Sequence, residues 1–466
     1  MKPHCCGLIT GLLLTLCGLT QAQTTMLTFE SAWERVKSGS DQLAAARAGV
    51  DSKVLQLQGL QGLGGPVVQL TAAAYTYNLN LDVNLDPVNQ GLAQIGQLLP
   101  ASLQAMGISL PRFPSSYTYN RSDTGATKAV SFVWPLYTGG VTDSVRGFVQ
   151  AQGDEARADA DKTDQTLVTQ LVQRYFGTQL NAMAASLRQV ALDDIAQHDA
   201  ASVKMLAAGL ISRIERLQAQ VAFEDAKRQA QKAQSDAELA AVALARTLKS
   251  DTLVSPATPL FVLTQPVEPL THFLTEALSR HPGLAKVTAK QVQAEQLHQG
   301  QEGLRKPQVF AFGQRELQTG QADWVAGVGI RWTLFDAVDR DILAASSVKQ
   351  IEQAQRLELQ ARNDISLLVE KNWRQLEQAR RHFLATEPGV TLAKEVLRLR
   401  RAALREGTGT VLELMDADVN LAKVQTERAQ VAYDYVQALA SLLESCGLSD
   451  EFGAYVSRAD VRVDGL

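Results

Sequence analysis

The sequence predicts a mostly α-helical chain with a membrane β-barrel contribution, built from tandem-duplicated long coiled-coil helices and four β-strands. Three observations lead there. A long stretch of sequence returns at a constant offset, strand-like segments end in tryptophan, and proline-free runs far exceed an ordinary helix. The 466 residues carry a formal net charge of −4, with 45% hydrophobic and 20% charged residues. That is long enough for a sizeable core and too apolar for a disordered chain. The charge balance gives no basic footprint, so nucleic acid is not a predicted partner.

The first 22 residues are read as a signal peptide. Lys2 is followed by an apolar run from Gly7 to Leu19 and then by Thr20-Gln21-Ala22, with cleavage expected after Ala22. A rival cut is the lipoprotein-like Leu14-Thr15-Leu16-Cys17, although Leu16 is bulky where such boxes carry a small residue. Three of the four cysteines, Cys5, Cys6 and Cys17, fall in this segment and leave Cys446 alone. Packing rather than disulfides must hold the exported chain.

Self-comparison shows the duplication. Trp134-Pro-Leu136-Tyr137 returns as Trp332-Thr-Leu334-Phe335, a shift of 198 that also carries Tyr175 to Trp373, Gly209 to Gly407 and Ser212 to Thr410. A shift of 241 relates the upstream parts, mapping Leu43 to Leu284 and Pro66 to Pro307. The two shifts differ by 43, which marks an insertion in the first copy at about residues 76–127. The repeats are thus 23–255 and 256–447, followed by a C-terminal tail, 448–466. Each repeat reads helix, strand hairpin, very long helix, Gly turn, helix.

Asp323 to Phe335 is the clearest strand. One parity holds Trp324, Ala326, Val328, Ile330, Trp332 and Leu334; the other holds Val325, Gly327, Gly329, Arg331, Thr333 and Phe335. An apolar face with Trp at its ends suits a lipid-facing barrel strand, though a half-buried soluble sheet fits the same alternation. In the first copy Val130, Phe132, Trp134 and Leu136 share one face. Backbone groups in lipid need partners and two hairpins cannot close a barrel, so several chains would have to build it. Pro66–Leu79 and Pro307–Leu317 are read as the preceding strands without assigned faces.

The run from Gly139 to Leu206 contains no proline and, as one helix, spans about 68 residues and roughly 100 Å. Its counterpart runs from Ala337 to Leu404, with Pro388-Gly389 expected to kink or break it. After Gly407 a heptad seam passes through Leu412, Met415, Val419, Ala422, Thr426, Ala429, Tyr433, Val436, Ala440 and Leu443. The equivalent seam in the first copy begins at Ile214, Leu217 and Val221 and dissolves at Glu224 and Arg228.

Catalytic and metal constellations are absent from the motifs, and no cofactor or enzymatic activity is expected. No two of the six histidines have a metal-ligand spacing, and His198-Asp199 reads as a solvated helix face. Cys446 reads as a small packed residue near a helix end. The turns at Gly209 and Gly407 each join two long helices, with Ser212 and Thr410 placed to cap the next one. Glu413 and Asp416 follow on a shared face. They compensate the helix dipole or, where several copies converge, form a ring of negative charge across a passage.

The paired Trp-x-Leu-aromatic strand ends, the two Gly-x-x-Ser/Thr turns and Glu413-Leu-Met-Asp416-Ala417 resemble the TolC-type outer-membrane efflux proteins, over about Leu27 to Gly447. The resemblance implies a homotrimer with one twelve-stranded barrel in outer-membrane lipid and a periplasmic α-helical tunnel. It implies a Gram-negative outer-membrane location and the exit duct of a tripartite efflux pump or type I secretion system. The implied partners are a periplasmic adaptor (membrane fusion) protein and an inner-membrane pump of RND, ABC or MFS type. Carried over by position, Glu413, Asp416 and Glu215 line the entrance, and Gly209, Ser212, Gly407 and Thr410 form the docking tips. Trp134, Trp324 and Trp332 are the membrane-interface aromatics.

The chain departs from the family where Gly409 and Leu404 replace a basic and an aromatic latch residue, which points to other residues such as Arg405. The insertion, with the apolar Leu92, Ile95, Leu98 and Leu99, would fall in the first extracellular loop. The alternative reading is a periplasmic coiled-coil scaffold or adaptor without a barrel.

Overall fold

The computed structural model describes residues 25–97, 111–317, 323–335 and 337–463. The signal peptide, Cys17, Leu98 and Leu99 lie outside these residues. The chain divides into two compact units. One takes in the chain up to Gln58, Gly147–Glu295 and the chain from Ser347; the other is Gly59–Arg146 with Gln296–Ser346.

The described elements begin with strand β1 (Thr25–Leu27), helix α1 (Phe29–Gly39) and helix α2 (Asp41–Gly59). Next come β2 (Val67–Asn84), α3 (Asp86–Gln97) and β3 (Ser116–Tyr137). The first long pair is α4 (Val141–Ala207) and α5 (Arg213–Thr247), followed by β4 (Val254–Pro256) and β5 (Leu260–Val262). Then follow α6 (Leu270–Arg280), α7 (Pro282–Gly303), β6 (Gln308–Glu316) and β7 (Trp324–Arg331). The second long pair is α8 (Arg340–Arg405) and α9 (Val411–Cys446), and α10 (Phe452–Arg458) and β8 (Val461–Val463) finish the chain. The two offsets read from the sequence relate these bounds. A shift of 241 takes α1 onto α6, and a shift of 198 takes the start of α5 onto that of α9.

The long helices have 67 and 66 residues, close to the lengths read from the sequence. Pro388 does not break α8, which continues through it. Packing supplies the reason. Phe383 and Val390 are buried on either side of the proline, the Arg428 guanidinium lies 5.2 Å from the Phe383 ring, and Arg428 pairs with Glu387 at 2.8 Å. Those contacts offset the lost backbone hydrogen bond and ring clash of an internal proline, which cost about 3 kcal/mol. The α9 seam is buried at Met415, Ala422, Ala429, Val436, Ala440 and Leu443 but only half-buried at Leu412, Val419, Thr426 and Tyr433. A second stripe through Val411, Leu414, Ala417 and Asp418 is buried as well, so α9 packs on two sides.

The main core of the helical unit is aromatic. Phe29, Tyr175, Phe176, Phe261 and Phe452 form a chain of ring contacts with centroids 4.9–6.1 Å apart. The buried Tyr175 hydroxyl donates to the Leu27 carbonyl at 2.6 Å and accepts from the Thr258 N–H at 2.9 Å, which satisfies a polar group that burial would otherwise penalise. Short strands stitch the same region. β1 pairs in parallel with β4, and β5 pairs antiparallel with β8. Residues 448–463 are therefore part of the core, with Leu448, Phe452, Tyr455 and Val463 buried.

Cys446 ends α9 fully buried, as read from the sequence, and burial pushes its thiol pKa up to about 12. The thiolate is the reactive form. Alkylation with iodoacetamide at pH 8 is therefore expected to leave the native protein unlabelled and to label Cys446 only after denaturation; mass spectrometry reads the difference.

Helix α9 stops at Gly447, whose φ of +72° is left-handed and suits glycine. An added Cβ there would meet the Arg280 carbonyl oxygen at 2.8 Å, whereas Gly407, also at +72°, faces open space. Gly407→Ala thus carries backbone strain of about 1 kcal/mol, and Gly447→Ala adds a backbone clash, for about 3 kcal/mol in all. Thermal denaturation of the two variants is expected to rank them in that order.

The other unit carries a four-stranded antiparallel sheet in the order β2-β3-β6-β7. Val67 opposes Val133, Phe132 opposes Gly313, and Gln308 opposes Arg331, so register fixes which side chains share a face. The strand expected to reach Phe335 ends at Arg331. The next residue, Trp332, would face Pro307, which has no N–H to continue the ladder. The Trp332 indole instead donates to the Arg305 carbonyl at 3.1 Å. In the opposite direction β2 and β3 run far beyond β6 and β7, so that much of the inserted segment is extended hairpin rather than loop.

Candidate functional site

Two places in this chain are candidate functional sites: the helix turns around Gly209 and Gly407, and the exposed apolar face of the sheet. Each turn is built the same way. Gly209 and Gly407 adopt φ of +71° and +72°, and the backbone N–H of the following residue reaches back to Met205 or Ala403. Ser212 and Thr410 then cap the next helix in reciprocal capping boxes. The Ser212 hydroxyl accepts from the Glu215 N–H at 3.2 Å while Glu215 accepts from the Ser212 N–H at 2.6 Å. Thr410 and Glu413 repeat the exchange, with both bonds at 3.2 Å. These caps satisfy N–H groups that a helix start leaves unpaired.

The Ser212 backbone N–H, seconded by the hydroxyl, holds the Glu215 carboxyl below its ordinary pKa. A depressed folded-state value means that the cap is complete above the unfolded pKa and is lost only as pH falls through the lower folded value. The α5 start therefore keeps its cap to lower pH than an unbonded glutamate would allow.

The turns meet each other. Leu210, Ile211 and Glu215 from the first and Leu404, Gly407, Gly409, Thr410, Val411 and Leu412 from the second line one cavity of about 520 Å³. Beneath it Ile195, Ala219, Ala226, Val411 and Met415 form a buried cluster with Met205 and Leu404 packed against it. Gly409 is a glycine for steric reasons, since a Cβ there would sit 3.1 Å from the Ala403 Cβ and 3.2 Å from the Leu404 nitrogen.

The acidic residues divide. Glu413 is occupied twice, by its cap and by Arg400 at 3.1 Å. Asp416 is exposed and has no ion-pair partner among the described residues. Neither lines the cavity.

A fourth carboxylate, beyond Glu413, Asp416 and Glu215, escaped the sequence reading. Asp418 has a side chain only 3% exposed and faces the His198 Nε2 at 3.1 Å and Arg401 at 3.5 Å. Arg401 also reaches Asp194 at 3.2 Å. His198-Asp199 is thus no solvated face: His198 joins α4 to α9, and Asp199 binds Arg216 of α5 at 2.7 Å. Arg401 rather than Arg405 ties the helices together above the turns; Arg405 lines the cavity and makes no ion pair among the described residues. The only sequence signal was an acid, Asp418, within the first turns of an apolar seam, because its partners lie 220 and 17 residues away.

On the sheet, register places Val68, Val130, Phe132, Trp134, Val309, Trp324, Val328 and Ile330 on one face. Trp324 is 72% exposed, Ile330 72% and Trp134 45%. On the other face the Phe310 and Phe312 rings cover Gly329 and Gly327 directly across the ladder, amid Gln308, Gln314 and Arg331. Along β2 and β7 the outer edges have no strand partner among the described residues. No helix among the described residues is long and apolar enough to cross a membrane.

This combination of long antiparallel helix pairs and an open, apolar-faced sheet is the fold of outer-membrane channel proteins. Residues 273–448 match the model of the family described as outer membrane efflux protein, the family that the turn and strand motifs resemble. No curated protein matches the chain significantly in sequence.

Among solved structures it is similar to the Campylobacter jejuni CmeC outer membrane channel, with 11% identity over 98% of this chain and 96% of that chain and a TM-score of 0.72. It is similar to the outer membrane protein VceC from Vibrio cholerae, with 13% identity, 90% and 96% coverage and a TM-score of 0.70. The open-state Neisseria gonorrhoeae MtrE outer membrane channel gives 16% identity, 90% and 88% coverage and a TM-score of 0.68. At these identities the likeness establishes the fold, which is that of outer-membrane channels.

Proposed function

We propose that this chain is one subunit of a homotrimeric channel in the outer membrane of a Gram-negative bacterium, extending into the periplasm. It acts as the exit duct of a tripartite efflux pump or type I secretion system. One observation carries the reading: a four-stranded sheet with an exposed, tryptophan-bearing apolar face and two unpaired edges. Such a sheet is stable in lipid only when its edges are closed. Three copies of four strands make a barrel of twelve, with β7 of one copy beside β2 of the next. Trp134, Trp324 and Trp332 then sit toward the lipid interfaces, and the face with Gln308, Gln314 and Arg331 lines a wet lumen.

At the other functional locus, the turns around Gly209, Ser212, Gly407 and Thr410 present the tips to a periplasmic adaptor, behind which stands an inner-membrane pump. Asp416, with Glu413 and Glu215 nearby, sets the charge of the entrance. The two repeats supply equivalent helix pairs, which supports a tandem duplication. The scaffold alternative leaves the exposed apolar sheet without a purpose. Carbonate extraction, native mass measurement and planar-bilayer recording test the proposal together. An outer-membrane, trimeric, conducting protein is expected, and a water-soluble monomer would sink it.

A further inference from the structure

The β2–β3 hairpin inverts its polarity partway along. Near its base the face holding Val68, Leu70, Val130 and Phe132 is apolar and the opposite face holds Gln69, Thr71 and Ser131. Beyond Tyr75 the pattern reverses. The first face becomes wholly polar, pairing Thr76 with Thr124, Asn78 with Ser122 and Asn80 with Asn120. The second gains Tyr75, Tyr77, Leu79 and Leu81 on β2 with Tyr117 and Tyr119 on β3. All are exposed except the half-buried Tyr77, which stacks on Tyr75 with ring centroids 6.1 Å apart.

Among the described residues, this reversed stretch is also where the hairpin stands alone. Strand β6 pairs with β3 only as far as Ala129, so the twelve residue pairs from Ala73–Thr127 to Asn84–Ser116 form a two-stranded ribbon, about 40 Å long. Two-stranded ribbons are marginal in water, and this one leaves an aromatic face uncovered by any described residue. Helix α3 and the reciprocal Asn89–Phe113 bonds finish its tip without burying that face.

We propose that the occupant of this face is the same face of the other copies, so that three ribbons close over the barrel's outer end as an aromatic cap. The inference rests on the channel reading above, which assigns the Val68 and Trp134 face to lipid. The Tyr75 face then continues the lumen side, where lipid cannot reach it but equivalent ribbons around a shared axis can. The patch includes one charge of each sign, Arg121 and Asp123, so like faces meet without net repulsion. The cap is a second constriction, separate from the helix turns.

The test uses the full-length protein in outer membranes, with Leu79→Cys against Asn80→Cys on the opposite face. Cys446 is buried and gives no background. Oxidation is expected to link Leu79→Cys chains into covalent dimers and to lower single-channel conductance about twofold or more, restored by reduction, while Asn80→Cys does neither. Leu79→Asp with Leu81→Asp, which needs no cross-link, is expected to raise conductance by a similar factor. A trimer that conducts but shows no Leu79→Cys linkage and no change in the double Asp variant overturns the cap and leaves the channel intact. Unmodified protein that neither trimerises nor conducts overturns both.

Discussion

Replacing Asp416 by asparagine is expected to weaken block of the channel by trivalent cations about tenfold, and replacing Glu413 by glutamine is expected to change it little. The difference follows from what each carboxylate already binds. Glu413 accepts from the Thr410 N–H and pairs with Arg400, so its charge is largely spent within the subunit. Asp416 is exposed and unpaired among the described residues. Three copies around an axis would set three such charges across a narrow passage, where a multivalent ion feels them together. Titration of the cation from the entrance side in planar bilayers measures the effect. Equal weakening by Glu413→Gln and Asp416→Asn would reject this division of roles.

The second large effect belongs to Asp418. Its buried carboxylate is the point at which α4, α8 and α9 meet, through His198 and Arg401. Removing one member of a buried ion network costs more than the network contributes, since the remaining charges lose their partner. Arg401 is half exposed and can turn to water, which puts Asp418→Ala at the low end of such losses, about 3 kcal/mol. Hydrogen exchange in the first turns of α9 is expected to accelerate about a hundredfold, with conductance rising as the helices loosen. Asp418→Asn keeps an acceptor for His198 and is expected to fall between. Unchanged exchange in Asp418→Ala would show that the apolar cluster around Met415 and Ile195 holds the helices without it.

The parts legible in the sequence were those written in local periodicity. The long helices, their glycine-ended turns, the two caps and the Trp324 strand face follow from spacing within a few turns or pairs. Three things were not local. Pro388 looked like a break because its support comes from Arg428 on the facing helix. His198 looked solvated because Asp418 lies 220 residues downstream. The hairpin looked like a loop past Leu79 because its apolar parity changes side at Tyr75, and an alternation that switches phase reads as no alternation. The Trp332 end shows the same principle in reverse: the strand pattern continued, but the opposing Pro307 could not.

The aromatic core joins the beginning and the end of the described residues. Phe29 touches Phe452 with centroids 4.9 Å apart, and Val463 in β8 closes against Leu260. A chain emerging N-terminus first consequently cannot finish this core until residues 452–463 have been delivered, so its two ends mature together.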